Sequence, residues 1–323
     1  MANHEVGNDI FVYTGGQAPR HVVNAIIDES VEEIDDDAFS YNYNLKSVMC
    51  HDGVLKVGNG SFEYCSSLQR VKMPGVKIIK DYAFFDCKSL VDVELDKLET
   101  VGDDVFWECN SLQRVKLPKV KIIGRCAFMD SGVEELEFGE DLETIGSGAF
   151  RGSKLRRIAI PLKDGLFQLN VRDEMFEFDD GHGTYTQFHD CHNLATIDLV
   201  GGIHKTVASL HLESESWRDE MNEEIQRINQ VLLITAHDEK TDETKQWMQS
   251  VSRKIDRYKA EHRTLLKEVT TLLELALWKA KFENDEGDKH SMEDVEGARK
   301  EACITSGADI VIKNVLPFLM LVE

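Results

Sequence analysis

The side chains best suited to metal or acid–base chemistry lie in one short stretch after residue 178. It holds His182, His189, Cys191 and His192, with Asp179, Asp180 and Asp190 among them. Imidazole and thiolate groups bind Zn²⁺, but zinc sites use paired ligands at a regular spacing that this stretch lacks. A metal-dependent enzyme built on His182, His189 and His192 is therefore the weakest of the functions that the sequence supports.

Other fragments that resemble catalytic motifs are incomplete. Residues 202–206 (GIHKT) end in the Lys-Thr pair of a phosphate-binding loop but lack the spacing G-x-x-x-x-G-K-[ST]. Residues 146–148 (GSG) do not form the G-x-S-x-G motif of serine hydrolases. We predict no catalytic residue, no metal and no cofactor.

Composition and charge indicate a folded protein that avoids anionic partners. The chain has 323 residues, 42% of them apolar, and a formal net charge of −22. That charge disfavours binding to nucleic acid or to anionic membranes. The N-terminal residues MANHEVGNDI lack the features of a signal peptide, and no apolar run reaches the ~18 residues of a spanning helix. We therefore predict a cytoplasmic protein.

The elements that must position any site come from an internal repeat. Six phenylalanines recur with one spacing of 23 residues and four of 22: Phe39, Phe62, Phe84, Phe106, Phe128 and Phe150. The segment Leu68 to Met73 alternates apolar and polar residues at its end, as a strand does. A shorter extended segment at residues 76–79 follows, and the Ala-Phe pair is predicted on a short helical turn. One coil leaves both of its faces in water, so the coils must stack.

The repeat resembles a known family. The pattern I-x-x-I-x-x-x-A-F-x-x-C-x-x-L-x-x-V-x-L-P is readable over residues 76–95 and again over 98–118, and it is similar to the BspA-type leucine-rich repeats. The resemblance spans roughly residues 31–200. It implies a curved solenoid with a parallel sheet on its concave face and a role in protein or surface recognition. The family has no catalytic residues, and its members include microbial surface adhesins and intracellular proteins of single-celled eukaryotes.

Four of the seven cysteines share one repeat position, three residues after a phenylalanine: Cys65, Cys87, Cys109 and Cys191. Other coils place Ser131, Ser153 or Asn42 there. A position that accepts Cys, Ser or Asn favours a small group that bonds nearby backbone. We predict buried, reduced thiols.

The outward strand positions carry charges whose sign alternates from coil to coil. These candidate partner-binding residues of the concave face are Arg70, Lys72, Asp92, Glu94, Arg114, Lys116, Glu135, Glu137 and Arg157. Parallel strands lie about 4.8 Å apart, so neighbouring coils neutralise one another. Such a row is first a solvated face that sets the register of the coils. As a binding surface it favours a partner of mixed charge.

The predicted fold is an α/β leucine-rich repeat solenoid with short parallel strands and helical turns, followed by an all-α bundle or hairpin. Its parts are an irregular N-terminal cap (1–30), the solenoid (31–202) with an insertion near 161–187, and a helical domain (203–323). The phenylalanine spacing lengthens to 38 residues between Phe150 and Phe188. The Met175-Phe176 pair is the predicted displaced copy of Ala-Phe, with the insertion after it.

The C-terminal part is predicted to be helical because residues 212–282 contain neither Gly nor Pro and show helical apolar spacing. Long helices are expected at about 213–235 and 242–282, antiparallel, as in a short coiled coil. A loop at 284–290 and C-terminal helices follow, with residues 310–320 returning over the apolar overhang. This domain is either a cap or a docking surface, and the chain is expected to be a monomer or a weak dimer.

The favoured function is a non-catalytic protein–protein interaction module. Its concave face would bind a protein partner of unknown identity, and its helical domain would cap the solenoid or dock a second protein. A cell-surface adhesin or structural recognition protein is the alternative. The absence of a signal peptide and the unpaired thiols argue against it.

Overall fold

The computed structural model describes residues 4–5, 10–168, 186–200 and 214–285. The chain divides into two compact units. The first joins residues 1–203 to residues 220–251, and the second joins residues 204–219 to residues 252–323. The first unit thus contains the solenoid together with the adjoining parts of both long helices, and the domain boundary near residue 203 stays a prediction.

The longer strands of the solenoid form two sheets. In chain order they are β1 (His4–Glu5), β2 (Ile10–Tyr13), β3 (Asn24–Ile27), β5 (Ser47–Met49), β7 (Arg70–Lys72), β9 (Asp92–Glu94), β11 (Arg114–Leu117), β13 (Glu135–Phe138), β15 (Arg157–Pro161) and β16 (Thr196–Val200). One sheet has the order β1-β2-β3-β5-β7-β9 and the other β11-β13-β15-β16. All pairs are parallel except β1 with β2.

The shorter strands form a third sheet along another face of the coils. They are β4 (Glu33–Ile34), β6 (Lys56–Val57), β8 (Ile78–Ile79), β10 (Thr100–Val101), β12 (Ile122–Ile123) and β14 (Thr144–Ile145). They pair in parallel, each with the coil before and after it. A parallel solenoid with one long and one short strand per regular coil is therefore confirmed.

The repeat phenylalanines form one continuous stack. Neighbouring rings from Phe39 to Phe150 lie 5.1 to 5.9 Å apart between centroids, with interplanar angles of at most 24°. Phe188 continues the stack at 5.6 Å from Phe150. All seven side chains are buried. We call this stack the phenylalanine spine, and it confirms the predicted superposition of the coils.

Each spine phenylalanine lies in hydrogen-bonded turns instead of the predicted helical turn. From Phe39 to Phe150, the residues two before and two after each phenylalanine have left-handed backbone angles, for example Gly60 and Tyr64 around Phe62 and Asp104 and Glu108 around Phe106. A right-handed helix cannot continue through a left-handed residue. The Ala-Phe pair is therefore held between two sharp reversals of the chain.

The N-terminal segment continues the solenoid. Strands β2 and β3 extend the parallel sheet beyond β5, and Tyr13 packs 5.0 Å from Phe39 at the start of the spine. The described part of the predicted irregular cap thus contains regular strands. It still departs from the repeat in two ways. Strand β1 runs antiparallel to β2 at the sheet edge, and the step from Ile10 on β2 to its partner Asn24 on β3 is shorter than a regular coil and contains no short strand.

The coil after Phe150 is the lengthened one. Phe167 pairs with Ile145 in the short-strand position, and Phe188 occupies the next place in the spine. Phe188 thus follows Phe150 directly in the stack, while the predicted displaced copy at Met175-Phe176 lies outside the described residues. Most of the predicted insertion also lies outside them.

Two long helices follow the solenoid. They are α1 (Ser214–Ile234) and α2 (Lys240–Asp285), joined by residues 235–239. Helix α2 begins two residues earlier than predicted and includes residues 284 and 285, which were assigned to the loop. The rest of that loop, the C-terminal helices and the segment 310–320 lie outside the described residues. Neither helix of the described chain is long and apolar enough to span a membrane.

Candidate functional site

The residues predicted for the concave face lie on neighbouring strands in the expected register. Arg70 is opposite Asp92 and Lys72 is opposite Glu94. Strand pairing likewise places Arg114 opposite Glu135 and Lys116 opposite Glu137. Arg157 lies opposite Glu135 on the other side of β13. We call the outward side of β2 to β16 the sheet face.

Ion pairs join most of these charged strands. Lys72 Nζ lies 3.0 Å from Glu94 Oε2, and Lys116 Nζ lies 3.6 Å from Glu137 Oε2. Arg157 Nε donates to Asp198 Oδ2 at 2.6 Å. Among the described strands, β9 ends one sheet and β11 begins the next. Strand pairing is therefore interrupted between the acidic β9 and the basic β11. Neither of these strands has the paired strand of opposite charge on both sides that the sequence predicted.

Reversing a charge on this face should have a small, salt-dependent effect. Lys116→Glu replaces the Lys116–Glu137 pair by two like charges, so we expect the melting temperature to fall by no more than about 3 °C at low salt. The fall should vanish in about 1 M salt, where the Debye length is ~3 Å. Lys119→Glu, in the exposed turn after β11, makes the same charge change as a control. Equal melting temperatures for both variants at low salt would contradict a role in setting register.

The N-terminal end of the sheet face is apolar, which sequence analysis missed. Ile10, Ile26 and Met49 point outward from β2, β3 and β5 and are 40%, 38% and 49% exposed. We call these three residues, with the half-buried Val12 beside Ile26, the apolar patch. It borders Lys72, which pairs with Met49 in register. Assigning residues 1–30 to an irregular cap hid the alternation that would have revealed it.

A second exposed surface is a row of aromatic residues beside the spine. Tyr41 stacks on Tyr64 at 4.7 Å, Phe85 packs edge-on against Tyr64 at 5.2 Å, and Trp107 packs edge-on against Phe85 at 5.1 Å. Tyr82 lies 6.1 Å from Phe85 and is 41% exposed. Each of these residues lies within two positions of a spine phenylalanine, a signal that the sequence contained.

The cysteines of the shared repeat position donate to backbone as predicted. The Sγ atoms of Cys65, Cys87 and Cys109 donate to carbonyls of the preceding coil at 3.1 to 3.2 Å, and Cys191 Sγ donates to Phe150 O at 2.9 Å. Burial raises the pKa of Cys65 and of Cys191 to about 12. No disulfide joins the six cysteines of the described chain. These thiols are structural.

Residues from both long helices seal the last coil. Lys240 Nζ donates to the carbonyls of Cys191, His192 and Leu194 at 3.1, 3.3 and 2.7 Å. Thr241 Oγ1 accepts from the Phe188 N–H group, and Asn229 Oδ1 accepts from the N–H group of Ile197 on β16, each at 2.9 Å. Backbone groups at the open side of the last coil thereby gain hydrogen-bond partners. The predicted cap function has this structural basis.

The histidine region is rearranged relative to the sequence hypothesis. His192 lies 4.5 Å from His237 between ring centroids, and His189 lies 5.9 Å from His237. Burial lowers the pKa of His189 below its usual value. Cys191 points into the core toward Phe150 O and away from this group, whereas His182 lies outside the described residues. His237, on the loop between the helices, was missed because it is distant in sequence.

The sequence matches a model of a known protein family. Six copies of a model described as "BspA type Leucine rich repeat region" match residues 20–132 and 57–178. The solenoid belongs to the BspA-type leucine-rich repeat family. Proteins of this family are generally non-catalytic, which agrees with the prediction of an interaction module.

Solved leucine-rich repeat proteins overlap part of the chain. A T. pallidum leucine-rich repeat protein is 25% identical over 49% of this chain and 78% of its own, with a TM-score of 0.41. A leucine rich cell surface protein from Faecalibacterium prausnitzii is 24% identical over 55% of this chain and 54% of its own, also with a TM-score of 0.41. One from Bacteroides ovatus is 20% identical over 53% and 52%, with a TM-score of 0.28. No curated protein matches the chain.

Proposed function

We propose that this BspA-type protein is a non-catalytic module that binds a protein partner on its sheet face. The observation that supports this most directly is the apolar patch. Ile10, Ile26 and Met49 are large apolar side chains held in water on adjacent strands of a rigid sheet. Such clusters, bordered by polar groups, are typical of protein interfaces.

The chemistry of the face defines the partner. Lys72 and Glu94, next to the apolar patch, neutralise each other, so neither a polyanion nor a polycation is favoured. The complementary surface would place apolar side chains on Ile26 and Met49 and mixed charges on β7 and β9. The net charge of −22 further disfavours nucleic acid and anionic membranes.

The helical region has a separate role in this proposal. Residues 229–241 seal the solenoid, which leaves the sheet face as the binding surface. Several apolar side chains farther along α2 are exposed: Val269, Leu272, Leu273, Leu275 and Trp278. Their coverage by residues 310–320, and the monomer that such coverage favours, remain predictions.

Quantitative affinity capture with the full-length chain tests the sheet face. The double variant Ile26→Ser, Met49→Ser should recover at least about tenfold less partner, since tenfold corresponds to about 1.4 kcal/mol and a single hot-spot residue costs about 2 kcal/mol or more when truncated. Ile122→Ser is the matched control, because Ile122 on β12 is 43% exposed but lies on the short-strand sheet. It should recover unchanged amounts.

Two results would contradict the sheet-face proposal. One is equal recovery by the double variant and by wild type, provided that both melt at the same temperature. The other is loss of partner in Tyr82→Ser with full recovery in the double variant, which would assign binding to the aromatic row.

The alternative is a cell-surface adhesin. The Faecalibacterium prausnitzii protein is described as a cell surface protein. We retain the cytoplasmic prediction, which is supported by the reduced thiols at Cys65, Cys87 and Cys109. Protease treatment of intact cells separates the two proposals. A surface protein would be digested, whereas an internal one would survive until the cells are lysed.

A further inference from the structure

Three side chains from two segments that lie far apart in sequence meet beside the last coil. Asp190 and His192 follow the last spine phenylalanine, and His237 lies on the loop between α1 and α2. One donor atom from each lies within 4.8 Å of the others. His237 Nδ1 is 3.1 Å from Asp190 Oδ1. All three belong to the first compact unit.

The repeat pattern explains part of this group but leaves His237 without an explanation. In the coil of Phe84, the equivalents of Asp190 and His192 are Asp86 and Lys88, whose side chains form an ion pair at 2.9 Å. The last coil replaces that lysine by an imidazole and adds a second imidazole from outside the repeat. A simple ion pair has thus become a set of one carboxylate and two histidines.

The His237 ring nitrogen gives an independent indication of a ligand. Nδ1 of His237 is buried and has no hydrogen-bond partner within the described chain, although Asp190 Oδ1 is near. The two atoms are close without the alignment that a hydrogen bond needs. A ring nitrogen without such a bond is available to a ligand, and metal ligation provides one.

We propose that Asp190, His192 and His237 bind one Zn²⁺ ion that links the last coil to the loop between the helices. Imidazole nitrogen and carboxylate oxygen are ordinary zinc ligands at about 2.0 to 2.2 Å, so ligand atoms around the ion lie about 3.4 Å apart. The donor atoms here lie within 4.8 Å of one another, so the most distant pair must approach by up to about 1.4 Å, which rotation of the exposed His192 ring allows.

The surroundings complete the site. His189 Nε2 lies 3.5 Å from Asp190 Oδ2 and is the nearest candidate for the fourth ligand, with water as the other choice. Arg151 Nε is 3.8 Å from that same oxygen, whereas Asp190 Oδ1 faces His237. Cys191 takes no part, because its thiol donates to Phe150 O.

Bound zinc would strengthen the seal made by Lys240 and Thr241. Those residues already hold the start of α2 against the last coil. The ion would fix the preceding loop, residues 235–239, to the same coil. Metal availability would then regulate how firmly the end of the solenoid is closed.

The test uses the purified full-length chain, stripped with EDTA and titrated with ZnCl₂ by calorimetry. We expect one equivalent of Zn²⁺ to bind, and zinc at 100 times Kd to raise the melting temperature by at least about 4 °C. Hydrogen exchange of residues 235–239 should slow on zinc addition. Co²⁺ should give the visible absorption of a tetrahedral site.

Single variants assign the ion to these residues. Asp190→Asn, His192→Gln and His237→Gln should each weaken zinc binding at least tenfold while melting near the wild-type temperature without zinc. His262→Gln on α2 should bind like wild type. Failure of wild type to bind one equivalent, or binding that all three variants retain, would overturn the proposal.

Discussion

Phe106→Ala is expected to lower the free energy of unfolding by about 3 to 5 kcal/mol, the usual cost of deleting a buried ring. Phe106 is fully buried and stacks on Phe84 at 5.5 Å and on Phe128 at 5.1 Å. The substitution leaves a cavity between neighbouring coils. The coils cannot close on this cavity, because backbone hydrogen bonds fix their spacing. Urea denaturation of the full-length chain measures the loss.

Two further variants make this result specific. Phe106→Leu refills part of the cavity and should lose clearly less stability than Phe106→Ala. Tyr43→Ala removes an aromatic ring that is 55% exposed outside the spine, so its effect should be below about 1 kcal/mol. A Phe106→Ala loss no larger than that of Tyr43→Ala would mean that the phenylalanine spine does not hold the coils together.

Lys240→Met should lower the free energy of unfolding by about 3 kcal/mol. The ammonium group of Lys240 has three donors, and each meets a backbone carbonyl of the last coil. Methionine keeps the apolar stem but leaves three carbonyl groups without their donor, at about 1 to 3 kcal/mol each, offset by the relief of burying a charge. Amide exchange of residues 240–251 should accelerate in the variant.

Lys245→Met provides the matched control. Lys245 lies on the same helix, more than one turn beyond Lys240, and it forms an ion pair with Asp242 of that helix. Its replacement should change stability by less than about 0.5 kcal/mol. If both variants unfold at the same urea concentration, the seal of the last coil does not depend on Lys240.

The two predictions concern different kinds of contact. The contacts of Phe106 are repeated in every coil, so the loss would be similar at Phe84 or Phe128. Lys240 acts once, where the stacking ends and the backbone of the last coil would otherwise face water. A repeat protein needs both, since stacking stabilises each coil and a cap protects the outer face of the last one.

The proposed zinc site lies in the seal rather than in the repeat. His237 is close to Lys240 in sequence, and Asp190 and His192 are in the segment that Lys240 holds. Loss of the seal in Lys240→Met would therefore also weaken zinc binding. The sheet-face proposal is separate, because the apolar patch is on β2, β3 and β5 at the other end of the solenoid.

The repeat by itself determined the parallel coils, the phenylalanine spine, the buried thiols of Cys65, Cys87 and Cys109, and the register of the charged strands. Each of these depends on contacts between equivalent positions of adjacent coils. Because a constant spacing of about 22 residues places equivalent positions over one another, periodicity in the sequence becomes adjacency in space.

Only the tertiary structure decided the rest. The left-handed turns around Phe62 and Phe106 were missed because Tyr and Glu adopt positive φ only where the surrounding hydrogen bonds require it. The contacts of Lys240 with the last coil and of His237 with Asp190 occur once and join distant segments. No spacing within the chain encodes such contacts, since the docking of the helices on the last coil brings these side chains together.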